Sequence, residues 1–158
     1  MSSGPEVGDP APAFSMATDT ESEITLQKLR GNPIVLYFYP KDDTPGCTKQ
    51  AIAFTAELDE FDKAGVAVIG VSKDSCASHA KFRDKYMLEH LLAADEDGSI
   101  CDAYGVWVFK NKYGRKSMGI RRTTFLIDSK GTISRVWRKV NVDGHAAEVL
   151  QAARAISK

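Results

Sequence analysis

The side chains with the most reactive chemistry in this chain are three cysteines, Cys47, Cys76 and Cys101. Their number is odd and no two lie close together, which is not the pattern of a disulfide-stapled secreted domain. In a reducing compartment each is either an inert buried residue or a reactive thiol. The local sequence singles out Cys47. It follows Pro40-Lys41-Asp42-Asp43-Thr44-Pro45-Gly46, and after it Ala51, Phe54, Leu58 and Phe61 recur at the spacing of one helix face. Cys47 therefore starts a helix. The first N–H groups of a helix have no intrahelical acceptor and carry partial positive charge, so they favour a thiolate. Cysteines in such places titrate at about 3.5 to 7.5, against about 8.5 when free. The competing reading is a small buried hydrophobe at the head of an apolar stripe. The neighbours weigh against it. Thr44, three residues earlier, has a hydroxyl that could reach the sulfur or a bound oxygen, and Pro40 and Pro45 stiffen the loop.

The elements that must position this group follow from periodicity. Residues 1–7 read as a flexible lead, with a short strand over Ala13–Met16 and a polar turn from Thr18 to Ser22. Pro33–Tyr39 is apolar or aromatic almost throughout, as suits a central strand covered on both faces. It ends at Pro40. The Cys47 helix is expected to run to Gly65, followed at once by a strand, Val66–Val71, and that order implies a parallel crossover. Asp74 or Ser75 is placed to cap a helix over Cys76–Tyr86. Leu91–Ala93 reads as a short strand and Gly98–Tyr104 as a short helix. A hairpin joins Thr123–Ile127 to Thr132–Trp137 through Asp128-Ser129-Lys130-Gly131, and a last helix covers His145–Ile156. The fold class is α/β: a sheet flanked by helices, in one domain over residues 1–158.

The chain carries 21 basic and 21 acidic residues with no long run of either sign, which argues against nucleic acid or an anionic membrane as partner. No segment has the length of a membrane span, and Met1–Pro10 lacks the basic and apolar parts of a secretory signal, so a soluble, cytoplasmic protein is expected. His79, His90 and His145 are scattered, read as surface or partly packed residues, although His79 shares a helix face with Phe82 and Tyr86 that could turn to the core, and form no ligand motif with a cysteine. No glycine-rich phosphate loop occurs. Neither a metal nor any other cofactor is expected. Trp107-Val108-Phe109 reads as core or pocket wall.

The motif Pro40-x-x-x-Thr44-x-x-Cys47 resembles the active-site signature of the peroxiredoxins. The stretch from Tyr37 to Thr48, together with Gly105-Val106-Trp107 and Gly119 to Asp128, looks like the peroxiredoxin Q, or bacterioferritin comigratory protein, branch. The likeness extends from about Gly8 to Trp137. It implies a thioredoxin-like fold with a central mixed sheet, and a thiol-dependent peroxidase acting on hydrogen peroxide and organic hydroperoxides. In the implied scheme Cys47 attacks the peroxide and becomes a sulfenic acid, Thr44 bonds the peroxide, and Pro40 shields the sulfur. Arg122 corresponds to the active-site arginine. The residues support that assignment, because a guanidinium at the start of Thr123–Ile127 could reach a thiolate across the sheet edge and polarise the O–O bond. Strand alternation turns Arg121 and Arg122 to opposite faces, and the family register chooses Arg122.

Many relatives carry a resolving cysteine five residues after the first, where this chain has Ile52. Cys76 is the candidate left, although the position used by some relatives corresponds to about Arg83. A Cys47–Cys76 bond needs Cα atoms within about 7 Å, hence local unwinding. The rival is a one-cysteine scheme in which an external thiol attacks directly. Cys101 reads as a buried small residue. Either scheme ends with a thioredoxin or glutaredoxin as reductant, and the resemblance implies a monomer. A thioredoxin-type oxidoreductase would need Cys-x-x-Cys, but the position three after Cys47 is Gln50. A redox sensor would share the first step and stop after one turnover.

Overall fold

The computed structural model describes residues 4–20, 23–112 and 114–156. Its elements in chain order are β1 (Ser15–Thr18), β2 (Ile24–Thr25), α1 (Leu26–Leu29), β3 (Ile34–Phe38), α2 (Pro45–Ala56), α3 (Leu58–Lys63), β4 (Ala67–Ser72), α4 (Cys76–Tyr86), β5 (Leu91–Ala94), α5 (Ser99–Ala103), β6 (Trp107–Lys112), β7 (Arg115–Ile120), β8 (Thr123–Ile127), β9 (Ile133–Arg138) and α6 (His145–Ile156). Seven strands form one mixed sheet in the order β2-β1-β5-β4-β3-β8-β9. β3, β4 and β5 are mutually parallel, and the pairs on either side are antiparallel.

β3 is buried along its whole length, as an uninterrupted apolar run requires of a strand covered on both faces. Its alternate residues feed two cores. Ile34, Leu36 and Phe38 join Tyr104, Val106 and Phe125 on one side of the sheet. Val35, Tyr37 and Tyr39 meet Cys47, Ala51, Phe54 and Phe61, with Phe82 of α4 and Val149 and Leu150 of α6, on the other. Among the described residues no helix is long and apolar enough to cross a membrane.

Several expectations are corrected. The first strand lies two residues later than Ala13–Met16, and of the expected Thr18–Ser22 turn Glu21 and Ser22 lie outside the described residues. The helix from Cys47 to Gly65 is two helices, broken at Glu57, with Phe54 and Phe61 both still buried. Residues 1–3 of the expected lead are likewise outside the described set, whereas Pro5 is buried and its carbonyl accepts from Arg138 at 3.0 Å. Gly4, at φ 73°, lies so close to the Tyr104 carbonyl that a Cβ would clash with it. Of Trp107–Phe109 only Trp107 packs against the core: the segment opens a separate two-stranded ribbon, β6–β7, and Phe109 is exposed. Gly114 at φ 76°, between alternating Trp107/Phe109 and Met118/Ile120, is the signal that marks this turn.

Candidate active site

Local sequence sets the start of α2. Thr44 is the N-cap in an extended conformation, and Pro45 takes the first helical position, where its missing N–H costs nothing. The first intrahelical bond runs from Thr48 N–H to Thr44 C=O at 2.8 Å. The N–H groups of Gly46 and Cys47 therefore have no acceptor within the helix. Cys47 is the third helical residue, and it is 1% exposed.

The sheet brings Arg122 to it. β8 runs antiparallel to β3 with Thr123 opposite Phe38, so the residue before Thr123 lies beside the loop that leaves β3. Arg122 Nη2 donates to Cys47 Sγ at 3.3 Å and Nη1 donates to Gln50 Oε1 at 2.6 Å. Gly46 makes room, since a Cβ there would stand 3.1 Å from Nη2. Gln50 was absent from the sequence-based site, yet its spacing was legible: three residues after Cys47, it is a polar residue on the buried stripe. A guanidinium can only donate, so the amide must present Oε1 to Arg122. Gln50 Nε2 is consequently buried without a partner.

Thr44 is placed at the helix start, with its hydroxyl proton donated to the Lys41 carbonyl at 2.9 Å. Its Oγ1 is left as an acceptor. Pro40 is half-buried at the head of the same loop.

That loop is tied to α4 through a buried cluster that the sequence did not disclose. Asp42 accepts from Tyr39 Oη at 2.6 Å, from Ser78 Oγ at 2.7 Å and from His79 Nδ1 at 2.7 Å. His79 Nε2 faces the Ala93 carbonyl at 2.9 Å. Nε2 therefore donates to the Ala93 carbonyl, and Nδ1 and the Asp42 carboxyl share a proton between them. Burial alone would lower the His79 pKa, but the bond to Asp42 and the charge of Asp42 outweigh burial and raise it. Asp43, at φ 58°, binds Lys85 and Tyr86 further along α4.

The histidine expectation is wrong for all three residues, which are buried. His90 bonds Tyr37 Oη and Thr55 Oγ1, and burial together with Arg83 holds its pKa down at about 3. His145 bonds Thr124 Oγ1, and burial, with lesser contributions from Arg122 and Arg135, lowers it to about 4. Phe54 packs against both His90 and His145, and Trp137 against His145, so the packing of the sheet, and no local pattern, put these two inside.

Cys76 is the first residue of α4, partly buried and free, and Ser75, not Asp74, caps that helix by accepting from Ser78 N–H. Burial, then Glu96 and Asp19, raise the Cys76 thiol. Arg83 is held by Asp19 and by the carbonyls of Leu88 and His90. Cys101 is buried and free.

Taken together, Cys47, Arg122, Gln50 and the Thr44 loop form a sheltered sulfur with donors arranged to hold negative charge. Residues 7–136 match the AhpC/TSA family. A Bcp-type peroxiredoxin of Coxiella burnetii is 53% identical over 145 residues, covering 92% of this chain and 96% of its own. Peroxiredoxin Bcp of Bacillus subtilis is 42% identical over 153 residues, with 97% and 98% covered. Among solved structures, peroxiredoxin Q of Xanthomonas campestris superposes with a TM-score of 0.87 at 43% identity over 92% of each chain. A cysteine-to-serine variant of PrxQ from Xylella fastidiosa reaches 0.93 at 35% identity over 99% and 100%.

Proposed function

Since the chain belongs to the AhpC/TSA family and is a peroxiredoxin, an enzyme that reduces peroxides with a thiol, we propose that Cys47 is the sulfur that attacks them. The observation that carries this assignment is the Arg122 guanidinium, bonded to Cys47 Sγ. The Cys47 thiolate attacks the protonated oxygen of H–O–O–R. The O–O bond breaks, its electron pair leaves on the distal oxygen, and that oxygen takes a proton to become R–OH. Cys47 retains S–O–H. Arg122 and the N–H groups of Gly46 and Cys47 hold the anionic sulfur and the charge that develops as the O–O bond opens. Thr44 Oγ1 accepts the O–H of the attacked oxygen, an arrangement favoured by its own proton being committed to Lys41. Gln50 fixes the guanidinium, and its unpartnered Nε2 is a further donor for a peroxide oxygen. Pro40 covers the sulfur from the loop side.

The substrate range proposed is hydrogen peroxide and small organic hydroperoxides. The Xanthomonas campestris relative is described as having alkyl peroxide reduction activity. For the return half we propose the one-cysteine scheme. A donor thiolate attacks Cys47 S–OH, hydroxide leaves with a proton as water, and a mixed disulfide forms. The donor's second thiolate then attacks the donor sulfur, releasing the Cys47 thiolate and leaving a disulfide on the donor, which supplies both electrons. Cys76 is disfavoured as resolver because it starts a different helix, α4, and burial, Glu96 and Asp19 raise rather than lower its pKa, and Arg83 occupies the other expected position. The donor is a thioredoxin or glutaredoxin. With Cys47 1% exposed, a protein thiol reaches it only once the first turn of α2 opens.

Peptide mapping after one equivalent of peroxide, with and without a dimedone trap, tests both halves. The expected product is dimedone on Cys47 with Cys76 free. A Cys47–Cys76 crosslink would establish the two-cysteine scheme instead, and label on another cysteine would remove Cys47 from the reaction.

A further inference from the structure

β6 and β7 form a ribbon outside the seven-stranded sheet. Its register sets Trp107 opposite Ile120, Phe109 opposite Met118 and Asn111 opposite Lys116. Residues two apart on a strand, and those directly opposed across it, share a face. Trp107, Ile120, Phe109 and Met118 thus make one apolar stripe. At the root the stripe belongs to the first core, with Ile120 buried there and Trp107 packed against it. Further out it runs into solvent, Phe109 61% and Met118 46% exposed. Lys110 lies on the other face, its stem over Gly119 and its Nζ donating to the Ile120 carbonyl at 2.6 Å. An aromatic ring facing a methionine in water has the composition of a contact core.

Charge narrows the occupant. From Trp107 to Arg122 the chain holds Lys110, Lys112, Arg115, Lys116, Arg121 and Arg122 and no Asp or Glu, in a protein whose charges balance overall. Such a field draws and orients an acidic partner. A second copy docking through the same face would set these cations against their own kind. The ribbon also ends two residues before Arg122. Arg121 N–H donates to the Val106 carbonyl at 2.7 Å, closing the base of the ribbon, and the next residue is the arginine on the Cys47 sulfur.

We infer that the β6–β7 ribbon is the docking surface for the protein dithiol that reduces oxidised Cys47, a partner with an apolar patch at its reactive cysteine and carboxylates around it. The inference rests on the thiol-dependent turnover proposed above, and the docked donor passes its two electrons by the exchange written there. Docking on Phe109 and Met118 holds the donor within reach of Cys47 while α2 opens.

The test compares two reductants on the full chain: thioredoxin or glutaredoxin, whichever supports turnover of the unaltered chain, and dithiothreitol. The variants are Phe109→Ser with Met118→Ser, and separately Lys116→Glu. Each is expected to raise KM for the protein donor about tenfold or more and to leave the dithiothreitol-supported rate within about twofold. Lys116→Glu also flattens the salt dependence of the donor KM. Unchanged donor KM in both variants, with dithiothreitol turnover intact, overturns the inference. So does a wild-type dimer that the double variant splits, or nucleic acid retained by the wild type and lost by Lys116→Glu, since each assigns the surface to another occupant. Failure of the unaltered chain with dithiothreitol would instead strike the Cys47 assignment, and the docking surface with it.

Discussion

Cys47 and Cys101 occupy the same place in their helices, each the third residue, and each is buried. Their surroundings are opposite. At Cys47 the Arg122 guanidinium donates to the sulfur. At Cys101 the Asp95 carboxylate takes the N–H groups of Ile100 and Cys101, at 3.2 and 2.7 Å. Burial, with Asp95 adding to it, pushes the Cys101 thiol far up. A helix start is therefore not enough to make a cysteine reactive. The magnitudes agree: a helix terminus offers about 0.3–1 kcal/mol to a nearby charge, whereas a unit charge about 4 Å away is worth about 4 kcal/mol at an effective dielectric constant of about 20. The neighbouring charge differs in sign between the two sites, the Arg122 guanidinium at Cys47 and the Asp95 carboxylate, which adds to burial, at Cys101.

The most direct way to break this comparison is to exchange serine for each cysteine in turn. Cys47→Ser is expected to abolish peroxide consumption, and Cys101→Ser to leave kcat within about twofold with a modest loss of stability. Peroxidase activity surviving the first change would end the distinction. Removing the cation comes next: Arg122→Ala should lower kcat/KM by about 10²–10³ with the fold retained, the usual loss for a preorganised donor at developing charge. Gln50→Ala should cost less, about tenfold, because the guanidinium remains but is no longer held from Nη1; circular dichroism and steady-state peroxide assays separate these effects from unfolding.

The smallest effect extends the contrast to buried histidines with and without a carboxylate. His90 and His145 have depressed folded-state values, so below pH about 6.5 the unfolded chain binds protons that the folded chain refuses. Stability then falls with falling pH, by up to about 1.4 kcal/mol per pH unit for each ring. His79, raised by Asp42, behaves the other way: its contribution is complete below 6.5 and is lost as pH rises through its elevated folded value. Urea unfolding across pH 4.5–9 is expected to show a maximum near neutrality, and His145→Asn should flatten the acid limb. An acid limb unaltered by that change would refute the assignment.

Much of this fold could be read from periodicity. The continuous apolar run at β3 announced a strand buried on both faces, α4 has the limits its apolar spacing and cap suggested and α6 those its alanine-rich composition suggested, and the proline–threonine–cysteine spacing marked the loop that leads into the Cys47 helix. The β6–β7 ribbon was legible only in retrospect, since its apolar residues alternate over too few positions to outweigh the lysines between them. His90 and His145 carry no local sign of burial, and His79 only its place on the helix face of Phe82 and Tyr86, because a histidine is drawn inside by the partners that satisfy its nitrogens.

By itself, the sequence determined that a helix would begin beside Cys47, the nucleophile proposed here, because helix periodicity and N-terminal geometry are short-range properties of consecutive residues. Only the tertiary structure decided that Arg122 would face Cys47 while Asp95 faced Cys101. It also decided that Gln50 would hold that arginine and that Asp42 would meet His79. Charges and hydrogen bonds act over a few ångströms of space between residues far apart in the chain, and the pairing of β8 with β3, together with the packing of α4 on the sheet, is what brings them within that range.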